Sequence, residues 1–284
     1  MFSWKRLKSL LSYGWKMLAS GLIDTFYQNL RSLIIGKIYS STDLAYYNKG
    51  RQFPLLIVSD INSSIDSVLL PTMSNVQDDI TAVKMMTRRS IKTSTYIMAP
   101  MMIGLACCSE SLVRLLLTNK WIECVPYIRI FCVTYMFYPI HTANLNAIKA
   151  MGRSDYFLKL EIVKKVVGIT VLLSTMWFGV LVMAYSLLFT TVLSMIINSW
   201  PNKKLLDYSF GEQMKDILPS ILLALFMGVI VYFIGMVNLP SILVLCIQVL
   251  VGAIIYIVLS WLFHIDSFEY LLGIVKSGLK KIRK

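Results

Sequence analysis

Residues 217–237, ILPSILLALFMGVIVYFIGMV, and residues 240–263, PSILVLCIQVLVGAIIYIVLSWLF, run without a single acidic or basic side chain. Each is long enough to cross a bilayer as a helix, which takes about 20 apolar residues. Only Asn238 and Leu239 separate them, so the chain crosses on one segment and returns on the next. Basic residues bracket the pair, Lys203, Lys204 and Lys215 before it and Lys276, Lys280, Lys281, Arg283 and Lys284 after it. The arrangement repeats toward the N-terminus. Lys149, Arg153, Lys159, Lys164 and Lys165 form the next cluster, then Lys84, Arg88, Arg89 and Lys92, then Lys5, Arg6, Lys8 and Lys16. Two apolar segments lie between each cluster and the next. The opposite turns hold few cations, Lys37 at the first and Arg114 and Lys120 at the second. Basic loops stay on the cytoplasmic side of a membrane, so this alternation sets both class and orientation.

The reading is an all-α polytopic membrane protein with about eight transmembrane helices, near residues 14–38, 44–75, 90–108, 125–148, 158–180, 182–200, 217–237 and 240–263. An even number places both termini in the cytoplasm. Transmembrane strands are excluded, because they are about ten residues long and alternate in polarity. The longest outer connection, Ser109 to Glu123, is expected to carry a small interfacial helix at Leu112–Leu117 beside Trp121. The basic stretch Trp200–Asp216 divides the chain into a six-helix lobe, residues 1–215, and a two-helix appendage with a basic cytoplasmic tail, residues 216–284.

Composition agrees. The chain is 57% hydrophobic and 15% charged, where soluble domains carry roughly 25% charged residues. The net charge of +13 is that of basic loops against an anionic leaflet rather than of a nucleic-acid binder. No nucleic-acid motif is present. Cys107, Cys108, Cys124, Cys132 and Cys246 lie in apolar segments without CxxC or metal-ligand spacing, and read as small buried hydrophobes. Met1 to Lys16 is basic but lacks a small-residue cleavage site, so no signal peptide is expected.

Polar residues interrupt the apolar segments in stripes. Lys16, Ser20, Asp24, Gln28 and Arg31 fall at helical spacing on one face of the first span. Gln52, Ser59, Asn62, Ser63 and Asp66 do the same on the second, with Lys49, Arg51 and Asp60 nearby. Lipid charges several kcal/mol for such groups, so these faces meet protein or water. Arg129, Tyr138, His141, Thr142 and Asn146 mark the fourth span, and Ser186, Thr190, Ser194 and Asn198 the sixth. For the serines and threonines the simplest reading is interhelical hydrogen bonding. Seven ionisable groups on the first two spans are too many to neutralise one another, and point to a hydrated cavity. Arg31, Lys49, Arg51 and Arg129 fall in the outer half of their helices, and topology does not require them. Asp24 and Asp60 fall near mid-depth and Asp66 nearer the cytoplasm. A cationic cavity suits a phosphate or diphosphate. The three carboxylates serve as counter-ions or couple an ion. Pro54, Pro100 and Pro139 are expected bending points.

No nucleophile has a base beside it, no Walker motif occurs, and His141 and His264 lack metal-ligand company. His141 reads as a helix-packing residue. Gln77-Asp78-Asp79 reads as a solvated helix start rather than as a metal-binding acidic pair. A membrane polymerase or ligase would need a large outer loop, which is missing here. The chain is therefore read as no enzyme, with neither cofactor nor metal.

Several segments resemble a known family in combination. They are Tyr13-Gly14-Trp15-Lys16 through Ser20-Gly21 to Ser32-Leu33-Ile34-Ile35-Gly36-Lys37, and Asp43-Leu44-Ala45-Tyr46-Tyr47-Asn48-Lys49. With them go Leu70-Pro71-Thr72-Met73-Ser74 followed by Gln77-Asp78-Asp79, and the run Asn144 to Asp155. Over about residues 10–215 these resemble Wzx-type polysaccharide flippases, the colanic-acid and teichuronic-acid exporters of the oligosaccharidyl-lipid and polysaccharide transporter superfamily. The resemblance implies a six-helix lobe of a MATE-like flippase fold plus two terminal helices, in the bacterial plasma (inner) membrane. It implies an undecaprenyl-diphosphate-linked oligosaccharide as substrate, moved by alternating access. The matching segments belong to the family's second half, so the partner implied is an N-terminal lobe or a second copy. The rival expectation is a non-transporting remnant or scaffold for glycan-assembly enzymes.

The topology is open to a direct check. A fluorescent-protein fusion after Lys204 should fold in the cytoplasm, and an alkaline-phosphatase fusion after Gly179 should be active outside. The reverse pair of results would overturn the orientation read from the basic clusters.

Overall fold

The structure is a computed structural model that describes residues 25–237 and 239–282; Asp24 lies outside them. Among the described residues every regular element is helical. A first helix, α1, is described over 25–38. It is followed by α2 (Ser41–Ser74), α3 (Ile80–Leu116), a 3₁₀ helix (Asn119–Cys124), α4 (Val125–Met136) and α5 (Tyr138–Ala150). The chain continues through α6 (Ser154–Thr175), α7 (Val180–Leu205), α8 (Phe210–Ile234), α9 (Ser241–Leu262) and α10 (Asp266–Ile282).

The helix starts follow local chemistry. Ser40 and Asp43 form a capping box at α2, and Ser209 and Glu212 form one at α8. Each satisfies two otherwise unpaired backbone donors. Asp79 accepts from the Ala82 N–H and caps α3, as a solvated helix start should. Gly179, at φ 103°, makes the turn into α7 that a residue with a Cβ would resist.

Five described helices are long and apolar enough to cross a membrane: α2, α3, α7, α8 and α9. The other three expected spans differ for separate reasons. Residues 14–38 are described only from residue 25. Residues 125–148 form two helices that meet at Phe137, because Pro139 heads a new helix rather than extending the old one. The span at 158–180 is α6, which carries Lys159, Glu161, Lys164 and Lys165 in its first half. The chain stays helical through Pro54 and Pro100, so of the three proposed bending points only Pro139 coincides with a helix break.

Two expected loops are mostly helix. The interfacial helix placed at Leu112–Leu117 is the last part of α3, and the 3₁₀ turn follows it. The loop placed at Trp200–Asp216 shrinks to residues 206–209, since α7 runs to Leu205 and α8 starts at Phe210. At 37 residues, α3 is about 55 Å long at 1.5 Å per residue. It overruns a hydrocarbon core of about 30 Å, so its basic first turns project from the membrane.

The helix α3 is the central post. Half of its apolar window is buried, against 11% of that of α2. It packs against α2, α4, α5, α8 and α9. One core cluster joins Tyr47, Met98, Phe131 and Met183; a second, nearer the C-terminal end of α2 and the N-terminal end of α8, joins Met73, Ile91, Ile140 and Tyr208. Close helix approach depends on glycine. A Cβ at Gly50 would overlap that of Tyr127 and sit 3.0 Å from the Cys124 carbonyl, so α2 and α4 touch nearly backbone to backbone. Gly228 lets α8 close on Ile103 of α3 in the same way.

Gly50→Ala should therefore destabilise the protein by about 1–3 kcal/mol, the usual penalty for overpacking. Gly211→Ala, where a Cβ meets nothing within 4 Å, should cost nothing. Unfolding in mixed detergent, followed by tryptophan fluorescence, measures both. Equal behaviour of the two variants would contradict the close α2–α4 contact.

Candidate functional site

The polar stripe expected on α2 is exposed except at Asn62, which is half-buried. Gln52, Ser59, Asp60, Ser63, Asp66 and Ser67 all lie open, while Tyr47, Pro54 and Val58 on the other side are buried. On the neighbouring α1, Thr25, Gln28 and Asn29 are open as well, and Ser32 donates to Asn48 Oδ1 of α2 at 3.2 Å. Elsewhere the exposed surface of the spans is apolar: Phe189 and Val192 on α7, Phe226 and Val229 on α8, Leu250 and Ile254 on α9. Hydrocarbon suits those three faces; on α1 and α2 it would strand the open Gln28 and Asp60 side chains, although Ser59, Ser63 and Ser67 donate to carbonyls of their own helix and Phe26, Leu33, Leu56 and Val68 are exposed there too. Length and tilt do not rescue the polar face, because Ser59 to Ser67 lies in the middle of a 34-residue helix.

Behind this face runs a seam of aromatic rings. Tyr47 meets Phe131 edge-on with centroids 5.3 Å apart, and Phe131, Tyr135, Tyr138 and His141 follow at 5.5, 5.0 and 6.0 Å. The seam exists because α4 presents Tyr127, Phe131 and Tyr135 at helical spacing toward α2. Its partial polarity is useful: each phenol offers a hydrogen bond from an apolar body.

The four cations separate. Arg51 is half-buried and its Nε donates to the Tyr135 hydroxyl at 3.1 Å, leaving the rest of the guanidinium fork for other acceptors. Lys49, about two turns from the N-terminal end of α2, donates to Gln52 Oε1 at 2.9 Å and lies 5.8 Å from the Trp121 ring. Arg31 is buried and turned to α7, where it donates to the Met183 carbonyl and, at 3.0 Å, to Ser186 Oγ. Arg129 is half-buried on the far side of α4 from Tyr135, beside Cys107 of α3, and makes no hydrogen bond or ion pair among the described residues. Thus Arg51 and Lys49 sit at the polar face, and Arg31 and Arg129 lie behind it.

The carboxylates also separate. Asp66 Oδ1 accepts from Asn146 Nδ2 of α5 at 2.6 Å. Asp60 is exposed, and no side-chain bond to its carboxylate is seen among the described residues. The buried Asn62 Oδ1 next to it lacks a partner too. No group of three or more metal-ligating side chains occurs among the described residues.

One cluster escaped the sequence reading. Asn144, Ser199, Asn202 and Gln213 are all buried and form a hydrogen-bonded node, in which Asn202 Oδ1 alone lacks a partner among the described residues. Gln213 Nε2 and Asn202 Nδ2 both donate to Asn144 Oδ1, at 3.1 and 2.6 Å, and Ser199 Oγ donates to Gln213 Oε1 at 2.9 Å. It ties α5, α7 and α8 together. Placing Gln213 in a loop hid it; the capping box Ser209–Glu212 was the signal for a helix there. Of the sixth-span stripe, Ser186 takes Arg31 and Asn198 Nδ2 lies 2.9 Å from His141 Nδ1, whereas Thr190 donates to the Leu187 carbonyl of its own helix.

A family model described as "Polysaccharide biosynthesis protein" matches residues 1–126. The Bacillus subtilis (strain 168) teichuronic acid biosynthesis protein TuaB is 20% identical over 91% of this chain and 55% of its own length. An uncharacterised membrane protein of the Klebsiella pneumoniae cps region is 22% identical over 78% of the chain and 49% of its own. Escherichia coli (strain K12) lipopolysaccharide biosynthesis protein WzxC is 23% identical over 57% and 33%. The chain spans about half the length of the first two of these relatives. Among solved structures, the lipid II flippase MurJ in its inward closed conformation superposes with a TM-score of 0.78 at 16% identity. That match covers 94% of this chain and 56% of MurJ. By family model, relatives and fold together, the chain is a multi-pass helical membrane protein that is similar to proteins of polysaccharide biosynthesis, WzxC among them, and has a MurJ-like fold.

Proposed function

We propose that this chain is the C-terminal lobe of a flippase that moves an undecaprenyl-diphosphate-linked oligosaccharide across the bacterial plasma membrane. Both termini are cytoplasmic, and the lobe works with an N-terminal lobe or a second copy. The observation that carries this reading is the open polar face of α1 and α2 at membrane depth. A transport cavity between two lobes is the setting that keeps such a face wet. The MurJ-like fold and the relatives' roles in polysaccharide synthesis support it.

In this reading the diphosphate meets Arg51 and Lys49 on the cavity wall, with charge-assisted bonds that Lys and Arg make well to phosphate oxygens. Arg31 braces α1 against α7, and Arg129 adds positive field from behind α4. Asp60 and Asp66, with Asp24 outside the described residues, balance the cations or couple an ion. Serine and glutamine side chains along α2 offer exchangeable hydrogen bonds to the glycan. Alternating access then needs the lobe to move as a body, with the cavity opening to one side at a time. The half-length match to the relatives leaves a scaffold for glycan-assembly enzymes as the rival.

The test is export in a flippase-deficient strain. A two-lobe transporter carrying this lobe should restore it. In that transporter Arg51→Gln removes charge-assisted bonds of about 1.5–3 kcal/mol, and export should fall roughly tenfold or more. Arg51→Lys should retain part of it. Full export by Arg51→Gln at normal protein level would take Arg51 out of the mechanism. Failure of the two-lobe protein itself to restore export would favour the scaffold.

A further inference from the structure

At the cytoplasmic end of the molecule, two crevices meet beneath α10. The larger, about 700 Å³, lies between α8 and α9 and is walled by Leu222, Phe226, Leu259 and Phe263, with Lys92 and Lys215 at its mouth. Leu222, Phe226 and Phe263 are each more than half exposed, so the groove opens sideways into the bilayer. The smaller, about 370 Å³, is lined by Arg88, Arg89, Lys92 and Tyr270. Lys92, Asp266 and Ser267 border both, so the two form one continuous site with an apolar arm and a cationic arm.

The charges around it do not balance. Two carboxylates are present, and both are taken: Asp216 by Arg88 at 2.7 Å and by the Tyr208 hydroxyl at 2.8 Å, Asp266 by Lys92 at 2.5 Å. The Lys92 hydrogen bond holds the Asp266 carboxyl below the usual carboxylate range. Two cations remain. Arg89 lies over the Tyr270 ring at 3.8 Å, with no carboxylate partner among the described residues. Lys215 is exposed and forms no hydrogen bond or ion pair among them. The buried Ser267 stands between the two arms.

We infer that this site binds an anionic phospholipid of the leaflet that the basic clusters face. The phosphate lies against Arg89 in the smaller arm, the acyl chains lie in the groove between α8 and α9, and Lys215 adds positive charge from that groove's side. A free anion would use only the smaller arm, and a neutral lipid only the larger. Excess positive charge beside a groove open to the bilayer fits a molecule that has both parts. Such a lipid would pin α10 to the inner end of α3, where Phe268 already packs near Tyr96 at 6.5 Å between ring centroids. This site is separate from the polar face of α1 and α2.

Native mass spectrometry of the delipidated full chain in detergent tests this. Phosphatidylglycerol and phosphatidylcholine with identical acyl chains are titrated in turn, with inorganic phosphate as competitor. Phosphatidylglycerol should bind roughly tenfold or more tightly, as two surface cations near a membrane imply. The double variant Arg89→Gln/Lys215→Gln should abolish the preference, and Lys159→Gln, in another basic cluster, should preserve it. Equal binding of the two lipids by the unaltered chain would overturn the inference, whether or not the double variant folds. A preference kept by the double variant, or lost equally in Lys159→Gln, would overturn it as well. Displacement by millimolar phosphate would show a free-anion site instead.

Discussion

Hydrocarbon offers no hydrogen bonds, and every polar group of this chain at membrane depth has to answer to that. The answers are of two kinds. Arg31, Asn144, Asn198, Asn202 and Gln213 are turned inward and bonded to neighbouring helices. Gln52, Ser59, Asp60, Ser63 and Ser67 stay open on one face. The first group makes a lobe that holds its shape. Among the described residues the second group makes a face that suits hydrocarbon less well than the apolar faces of α7, α8 and α9.

The inward bonds brace both ends. Near the outer end, Arg31 joins α1 to α7, and Tyr39 accepts from the Gly179 N–H and donates to the Met176 carbonyl, both at 2.8 Å. Near the inner end, the Asn144 node joins α5, α7 and α8. Interhelical polar bonds in membranes average only about 0.6 kcal/mol each, so their net contribution to stability is modest. Their larger effect is through what mispairing would do: a buried donor or acceptor left alone costs about 1–3 kcal/mol. Helix register is thereby fixed between the braces. Glycine at Gly50 and Gly228 adds van der Waals contact that only one register allows.

Class was legible in the sequence because it rests on a long-range average, the runs of apolar residues. Helix ends were less so. The segment Leu112–Leu117 reads in the sequence as a separate interfacial helix and is the end of α3, while Trp200–Asp216 reads as a loop because it is basic and polar, yet α7 runs to Leu205 and α8 starts at Phe210. The stripe on α2 was legible, since helical spacing alone puts Gln52, Ser59 and Ser63 together. The split between Arg51 at the face and Arg31 behind it was not, because two arginines on facing helices read alike until the direction of each side chain is known. The Asn144 node was hidden for a similar reason: its members come from three helices, and single-helix periodicity does not see them.

The account stands on the polar face of α1 and α2 being wet, and this can be measured directly. In the assembled transporter, with the native cysteines replaced, Ser63→Cys on α2 is compared with Ile254→Cys on α9. A water-soluble, membrane-impermeant maleimide should label Ser63→Cys and leave Ile254→Cys untouched. Protection of both positions alike would mean that lipid or tightly packed protein covers the face, and would contradict a cavity there.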